Sequence, residues 1–435
     1  MKILHVKSCR ARISRVVVLA CALCIVCFSG CRRREQARQS GPAPLKGQPV
    51  IRVLLLGGVS ECLFSCDSPL TLSAADMPLR PASQDAAAGV NLPIAHFDVF
   101  EEPVLIKVLA GRISFAGWSC STGRLQVMPD PNGIFNLNGR SYRGRLHIVV
   151  AADGNSFDVV NVIETEAYLA GVIGAEMPDY WEPQALEAQT IAARTYCLYI
   201  KKHFGGSRHW DVRSTAANQT YKGVSAESQA TRQAIGKTAG EVLVCRQSDG
   251  SEDIFPAYYA STCAGHTENS KNVFGDIFGP LTGVPCNYCS QIAKSELLNW
   301  ASVYIDKAEL YARLVKRYPQ LAKLDGIEEI SAVSPSRYDG LTRLTWIKLE
   351  GANGASDTLR AEDFRLAVDP TGFRMKSAAF AIQNAGSNWA FVAGKGYGHG
   401  VGLCQCGAQG LARKRKTAAQ ILDYYYPGAK IKKIY

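Results

Sequence analysis

A glutamate, Glu176, stands ahead of an aromatic pair and a helix-forming segment in the stretch GAEMPDYWEPQALEAQTIAARTY. A carboxyl group held against the apolar faces of Tyr180 and Trp181 would have a raised pKa, because burial disfavours its charged form. Such a group can act as a general acid, and aromatic faces of this kind are surfaces on which sugar rings stack. The alternative is structural, since a carboxylate just before a helix is stabilised by the helix dipole by about 0.3–1 kcal/mol.

Two polar residues, Gln189 and Arg194, interrupt the alanine-rich helical segment that Pro183 opens. Proline is favoured at the first position of a helix, and alanines at three- and four-residue spacing form a stripe that packs closely against a neighbour. Gln189 can hydrogen-bond an acetamido group of a sugar. Two interpretations of Arg194 stay open: a contact to substrate, or an ion pair with Glu187.

A second candidate site is Cys263-x2-His266 followed by Cys286-x2-Cys289. Four thiolate or imidazole ligands in two such pairs fit a closed tetrahedral zinc site, which is structural because no coordination position stays open for water. Disulfides are the alternative, since an exported protein folds under oxidising conditions. His266 has a further alternative, a role in the active site.

Glycines surround a histidine and two cysteines in the segment GYGHGVGLCQCGA. Glycine lets a backbone approach a ligand closely, and His399 can donate or accept a proton. A histidine near Cys404 also suggests a cysteine peptidase, in which the histidine activates the thiol. That alternative requires a free thiolate at Cys404, whereas the Cys404–Cys406 pair of an exported protein is open to oxidation.

The elements that carry these residues predict an α+β fold. Between residues 50 and 165, short β-rich runs alternate with Gly, Pro, Asn and Asp turns, which predicts a mostly antiparallel N-terminal β region. Residues 166–435 follow as a mixed helical and β catalytic region. Its longest predicted helix begins at Pro183, and the chain closes on a helix within TAAQILDYYYPG.

The N-terminus predicts export. Basic residues precede an unbroken apolar run of thirteen residues, shorter than the about 20 that a spanning helix needs, so residues 1–30 are predicted as a signal peptide. The run ends in FSGC, which resembles the lipobox of bacterial lipoproteins, with Cys31 as the lipidated residue and Phe28 where Leu is usual. An ordinary secretory peptide cut near Gly30 is the alternative. Residues 31–49 are predicted as a tether between membrane and domain.

The net charge indicates which classes of binding partner suit the protein, and the cysteine content indicates whether disulfides are expected. The 435-residue chain has a formal charge of +11, and residues 1–30 carry five basic and no acidic residues, which leaves +6 for the remainder. A mildly basic exported protein suits an anionic partner such as a cell-wall polymer. It does not suit nucleic acid, because the compartment is wrong and no basic–aromatic module is present. Ten cysteines lie beyond Cys31, and disulfides are the general expectation for them.

Several long motifs resemble the SpoIID/LytB family of cell-wall proteins. They are VVNVIETEAYLAGVIGAEMPDYWEPQALEAQTIAARTYCLY, DVRSTAANQTYKGVSAESQATRQAIGKTAGEVL, AYYASTCAGHTENSKNVFG, GYGHGVGLCQCGAQGLA and ILDYYYPGAKI, in that order. The resemblance covers residues 155–435. The glycine-rich segment departs from the family's usual HGVGMSQYGA at Leu403, Cys404 and Cys406, and Cys404 stands where the family has serine.

The resemblance implies a peptidoglycan lytic transglycosylase whose catalytic residue falls on Glu176. Such an enzyme cleaves between N-acetylmuramic acid and N-acetylglucosamine without water and leaves a 1,6-anhydromuramoyl end. A hydrolase normally needs two carboxylates, whereas one is enough when the sugar's own C6 hydroxyl attacks. No cofactor is required for that chemistry. His399 and Gln405 are then expected to line the glycan groove opposite Glu176.

The LytB branch of the family implies a competing, non-enzymatic function. Its members are known as amidase enhancers, and a glycan-binding modulator of cell-wall hydrolases would keep much of the same groove. A cell-wall amidase is then an expected partner, beside the glycan strands themselves.

Overall fold

A computed structural model describes residues 47–73, 94–120 and 123–435. The predicted signal peptide, Cys31 and residues 31–46 of the predicted tether lie outside the described residues. Among the helices that are described, none combines the length and apolar character needed to cross a membrane.

The N-terminal region consists of strands, as the sequence predicts. In chain order they are β1 (Val50–Val59), β2 (Glu61–Cys66), β3 (Leu70–Ser73), β4 (Ile94–Phe97), β5 (Phe100–Leu109), β6 (Arg112–Phe115), β7 (Trp118–Cys120), β8 (Arg124–Pro129), β9 (Phe135–Leu137), β10 (Arg140–Tyr142), β11 (Arg145–Val150) and β12 (Phe157–Glu164). One sheet has the order β1–β12–β11–β8–β3–β4, and the other has the order β10–β9–β2–β5–β6–β7. All of these pairs are antiparallel.

Alternating burial explains how the two sheets hold together. Successive side chains of a strand point to opposite faces, and in β2 the buried positions are Cys62, Phe64 and Cys66. The Phe64 ring lies 5.3 Å from that of Phe115 and 6.1 Å from that of Phe135, measured between ring centroids. These apolar side chains form one core with the helices that follow.

The first helix follows β12 directly, and the later helices alternate with short strands. They are α1 (Thr165–Glu176), α2 (Pro183–Phe204), α3 (Gln229–Lys237), α4 (Ser270–Val273), α5 (Ser295–Leu298), α6 (Lys307–Arg317), α7 (Ala361–Val368), α8 (Gln405–Arg413) and α9 (Ala418–Tyr425). Pro183 occupies the first turn of α2, as predicted. The predicted alanine stripe is fully buried at Ala185, Ala188 and Ala192, and α2 contacts α1, α3, α8 and α9. This helix is therefore the centre of the helical part of the chain.

The remaining strands are short. They are β13 (Val212–Arg213), β14 (Glu241–Arg246), β15 (Glu252–Ile254), β16 (Tyr259–Ala260), β17 (Asn299–Trp300), β18 (Val303–Asp306), β19 (Glu329–Val333), β20 (Ser336–Tyr338), β21 (Leu341–Arg343), β22 (Trp346–Glu350), β23 (Ser356–Arg360), β24 (Ala381–Ala385), β25 (Asn388–Val392), β26 (Gly394–Lys395), β27 (Leu403–Cys404) and β28 (Lys430–Lys433). β13 extends the first sheet as a parallel neighbour of β1. β16 pairs with β27 in parallel, which joins the middle of the chain to its C-terminal part.

Two hydrophobic cores divide the predicted catalytic region. The main core unites residues of the N-terminal sheets, of α1 to α3 and of residues 401–426. A second core is built from residues between Trp300 and Phe391, and we call residues 299–395 the second lobe. The predicted boundary at residue 165 falls between β12 and α1, but the elements on its two sides share the main core. The α+β fold class is confirmed.

Candidate active site

Glu176 is the last residue of α1 and lies seven residues before α2 begins. The proposed structural role as a helix-start carboxylate is therefore wrong, because the C-terminal end of a helix carries the negative end of its dipole. A carboxylate is disfavoured there, so the dipole does not explain why an acid stands at this position.

Two glycines of α1 allow another segment to come close to that helix end. A Cβ at Gly171 would lie 2.4 Å from the Tyr221 ring, and one at Gly174 would lie 2.1 Å from the Ala226 carbonyl oxygen. Both distances are too short for a side chain. The N–H of Lys222 donates to the carbonyl oxygen of Gly171 at 3.0 Å. The segment around residues 220–226 consequently packs directly on α1.

This packing brings a backbone donor to the Glu176 carboxylate. The N–H of Thr220 donates to Glu176 Oε1 at 2.6 Å. Burial raises the pKa of Glu176, and the Thr220 contacts, the Gln405 side chain and the Lys222 charge act in the opposite direction. The groups that shift this pKa most include no second carboxylate. Glu176 is thus a desolvated single acid, still partly exposed to solvent.

Tyrosines stand close to Glu176 and are linked to one another. The negative charge of Glu176 contributes to the raised pKa values of Tyr168 and Tyr259, for which burial is the larger cause. Tyr168 Oη donates to Gln219 Oε1, and Gln219 Nε2 donates to Tyr259 Oη, each at 3.0 Å. Gln219 is fully buried. The amide therefore fixes both rings at the base of the site.

The pairing of β16 with β27 positions Gln405 near Glu176. Tyr259 is the register partner of Leu403, and Gln405 is the first residue of α8 directly after β27. The Gln405 side chain lowers the pKa of Glu176, while its Nε2 atom is buried and has no hydrogen-bond partner among the described residues. Gln405 is therefore near enough to influence Glu176, and its predicted place in a glycan groove stays a prediction.

His399 is fixed close to the same strand. Its Nδ1 accepts a hydrogen bond of 3.0 Å from the N–H of Val401, and its ring packs edge-on against Tyr258 and Phe274. Burial lowers the pKa of His399 to about 4. His399 is consequently neutral near pH 7, with Nδ1 unprotonated, and the structure shows no direct contact between it and Glu176.

Tyr180 and Trp181 lie on the loop that joins α1 to α2. The Tyr180 ring is 82% exposed, whereas Trp181 is half-buried against the main core. The next residue, Glu182, donates its N–H to Gln409 Oε1 of α8 at 2.9 Å. Helix α8 thereby holds both Gln405 and the aromatic loop.

Arg194 and Gln189 do not belong to an exposed groove. Both are completely buried. Arg194 makes a bidentate pair with Glu166, with distances of 2.9 and 2.7 Å from Nε and Nη2 to the carboxylate oxygens. The predictions of a substrate contact or of a pair with Glu187 are therefore wrong for Arg194, because this carboxylate of α1 lies closer in space; Glu187 pairs with Lys237.

Gln189 is predicted to bind a sugar acetamido group, but its side chain lies inside the protein. Its amide nitrogen and oxygen have no hydrogen-bond partner among the described residues. A fully buried amide cannot contact a glycan without a change in structure, so the sequence-based role of Gln189 is corrected.

Three of the four predicted metal ligands lie together, and the fourth does not. The Sγ atoms of Cys263, Cys286, Cys289 and Cys404 all lie within 4.8 Å of one another. His266 stacks instead on Tyr338 of the second lobe, with 3.7 Å between ring centroids. The prediction of His266 as a ligand is therefore wrong. The backbone of His266 bridges to that of Pro285, and its side chain packs on the other lobe.

The cysteine-peptidase alternative is also not supported by the geometry. Cys404 is 1% exposed and lies within this cysteine group, so its sulfur has no access to a peptide substrate. The described cysteines whose side chains can be assessed are free thiols.

Sequence reasoning missed Thr220, Gln219, Tyr168 and Tyr259. Thr220 acts through its backbone, for which residue type gives no signal. The tyrosines and Gln219 lie within segments that resemble the family, but their spacing along the chain does not indicate that they converge on one carboxylate.

Comparisons with known proteins agree with the motif resemblance. The SpoIID family model, described as stage II sporulation protein, matches residues 153–245. An uncharacterised protein of Brachyspira hyodysenteriae is 31% identical over 68% of this chain and 74% of its own length. The amidase enhancer of Bacillus subtilis is 26% identical over 74% of this chain and 49% of its own length, and stage II sporulation protein D of the same species is 28% identical over 62% and 75%.

Proposed function

Because the chain belongs to the SpoIID family, which indicates a cell-wall role in the envelope, we propose that it is a peptidoglycan lytic transglycosylase. Glu176 is its single acid and base. The enzyme cleaves the bond between N-acetylmuramic acid and N-acetylglucosamine within glycan strands. The observation that carries this proposal is the environment of Glu176: a carboxyl group with a burial-raised pKa, held by a backbone N–H and without a carboxylate among its main electrostatic neighbours.

The hydrogen bond to Thr220 assigns roles to the two carboxyl oxygens. Since Oε1 accepts the Thr220 N–H, the proton of the neutral acid resides on Oε2. Glu176 donates that proton to the glycosidic oxygen, and the bond from C1 of the muramoyl residue to the leaving oxygen breaks. The C6 hydroxyl of the same sugar then forms a bond to C1, and the Glu176 carboxylate accepts the proton that this hydroxyl loses.

The surrounding residues position the acid and bind the strand. The Thr220 N–H binds the carboxylate, and both Thr220 and Gln405 favour its charged form after the first proton transfer. Tyr180 and Trp181 offer aromatic faces for sugar rings beside the site. The excess of basic residues favours an anionic polymer as the substrate.

The test is mass spectrometry of purified glycan strands incubated with the protein. Wild-type protein is expected to release 1,6-anhydromuramoyl ends, and Glu176→Gln to release none. Glu182→Gln is the matched control, because Glu182 is exposed on the same loop, and it is expected to keep the activity. Reducing ends in place of anhydro ends would contradict the single-acid mechanism.

An amidase-enhancing function is the second candidate. The amidase enhancer of Bacillus subtilis matches 74% of this chain, more than stage II sporulation protein D of that species matches. This function predicts that the protein increases the release of peptides by a cell-wall amidase even when it carries Glu176→Gln. If neither the wild type nor Glu176→Gln cleaved intact or peptide-stripped strands, the amidase-enhancing function would be favoured.

We also propose that Cys31, which lies outside the described residues, carries a lipid anchor. Metabolic labelling with a fatty-acid analogue is expected to mark the wild type and not Cys31→Ser. Release of an unlabelled wild-type protein into the soluble fraction would favour the secretory signal peptide.

A further inference from the structure

We propose that Cys263, Cys286, Cys289 and Cys404 bind one structural zinc ion. Their four Sγ atoms lie within 4.8 Å of one another, and those of Cys263 and Cys289 are 3.9 Å apart. Sulfur ligands about 2.3 Å from zinc in a tetrahedron lie about 3.8 Å from each other. A disulfide would require about 2.05 Å. The four thiols thus have the spacing of ligands around one central ion.

The ligands come from separate segments that the fold brings together. Cys263 follows β16, and Cys404 ends the paired strand β27. Cys286 and Cys289 have the two-residue spacing that is common in zinc sites, and Cys289 begins a 3-10 turn. Thiolate ligands favour zinc over hard cations such as magnesium.

Hydrogen-bond donors point at the sulfur atoms. The N–H groups of Cys263 and Gly407 each donate to Cys404 Sγ at 3.4 Å. Tyr425 Oη lies 3.1 Å from Cys286 Sγ, where its hydroxyl can donate. Donors of this kind stabilise negative charge on sulfur, as metal ligation requires.

The site is closed to solvent. The four thiol-bearing residues are each 1% exposed. A Cβ at position 407 would lie 2.7 Å from Cys286 Sγ, so glycine leaves the room that the cluster needs. A fully buried tetrathiolate keeps no position for water, which makes the ion structural rather than catalytic.

The cysteine cluster lies where a bound ion would hold several parts of the fold together. Cys404 immediately precedes Gln405, whose side chain favours the charged form of Glu176. Arg343 of the second lobe donates to the Cys263 carbonyl oxygen at 2.9 Å. The ion would therefore join the start of α8, the main core and the second lobe. Only the effect on catalysis rests on the proposed function; zinc binding itself does not.

The competing outcome is oxidation of the same thiols. The experiment is elemental analysis of full-length protein purified from the exported fraction without reducing agent, combined with peptide mapping of cysteines after alkylation. The expected result is about one zinc per chain and four alkylatable thiols that react only after chelation. Disulfides among the four cysteines without zinc, or iron in place of zinc, would overturn the proposal.

Cysteine variants distinguish the proposed zinc ligands from cysteines that only lie nearby. Cys404→Ser is expected to lose zinc. Cys406→Ser is expected to retain it, because Cys406 is buried two residues further on, in α8, but lies outside the four-sulfur group. Cobalt bound to the wild type gives a second readout, since a tetrathiolate site produces intense visible absorption. Equal zinc in both variants, or a cobalt spectrum without thiolate character, would overturn the assignment; neither result would bear on whether Glu176 is the catalytic acid.

Discussion

The backbone N–H of Thr220 donates to Oε1 of Glu176 at 2.6 Å and so joins the end of α1 to a loop that follows α2. The donor belongs to the main chain, which means that a side-chain substitution at residue 220 leaves it in place. The carboxylate is thus oriented by the packing of two segments, through Gly171 and Gly174, rather than by one replaceable partner.

The charged residues around Glu176 predict that a substitution can shift the pH dependence of activity. In the proposed reaction Glu176 must be protonated at the start, so activity is expected to fall as the pH rises through its pKa. Lys222 lowers this pKa, so Lys222→Gln raises it and shifts the falling limb to higher pH. The measurement is the rate of anhydromuramoyl release across pH.

Salt and a distant lysine provide the controls for that profile. Lys222 is exposed, so added salt screens its charge and diminishes the shift. Lys316→Gln, an exposed position in the second lobe, is expected to leave the profile unchanged. A shift of the Lys222→Gln limb to lower pH would contradict the assignment of that limb to Glu176.

The Arg194–Glu166 pair predicts a large loss of stability on single substitution. Both side chains are buried, and Glu166 Oε1 also accepts from Tyr435 Oη at 2.6 Å. Arg194→Met leaves a buried carboxylate without its cation, which is expected to lower the free energy of unfolding by about 3–5 kcal/mol. Urea unfolding measures the loss.

A second substitution distinguishes the pair from simple packing. Combining Arg194→Met with Glu166→Gln is expected to be less destabilising than Arg194→Met alone, since no buried charge remains. Lys237→Met breaks an ion pair whose lysine is mostly exposed, and about 0–1 kcal/mol is expected there. Additive losses in the double variant would contradict the buried-charge explanation.

His147 predicts a loss of stability in acid. Burial, followed by the charges of Arg145 and Arg52, lowers its pKa from the ordinary 6.5 to about 4. Within residues 47–73, 94–120 and 123–435, neither ring nitrogen finds a hydrogen-bond partner. As the pH falls from 6.5 towards 4, the unfolded chain binds a proton that the folded protein does not. Stability therefore declines across this window, by at most about 1.4 kcal/mol per pH unit.

The His147→Leu variant tests that origin. Its free energy of unfolding is expected to fall less than that of the wild type between about pH 7 and about pH 5. His399 has a pKa lowered in the same direction and remains in the variant, so part of the decline persists. Identical declines in both proteins would exclude His147 as a source.

Residue type and spacing predicted the features that depend on contacts between neighbouring residues. They missed the features that depend on contacts between distant segments of the chain. The antiparallel β region and the start of α2 at Pro183 follow from residue type and spacing, whereas the acid role of Glu176 rests on the family resemblance and stays a prediction. Cys404 as a member of the cysteine group depends on the parallel pairing of β16 with β27, which no spacing reveals. For the same reason the sequence offered Arg194 either a substrate contact or Glu187 on its own helix, whereas the fold supplies Glu166 from another helix.

The loop from α1 to α2 predicts a binding effect that is separate from stability. Tyr180 is 82% exposed, so Tyr180→Ala removes a sugar-stacking face and little packing. We expect a several-fold rise in KM for glycan strands with an unchanged Tm. Phe373→Ala is the matched control, because Phe373 is an aromatic residue 70% exposed in the second lobe, and its KM is expected to stay at the wild-type value. Gln409→Ala removes the hydrogen bond that holds Glu182, and it is expected to raise KM as well, since the loop then loses its anchor on α8. A Tyr180→Ala enzyme with unaltered KM would place the glycan on a different surface.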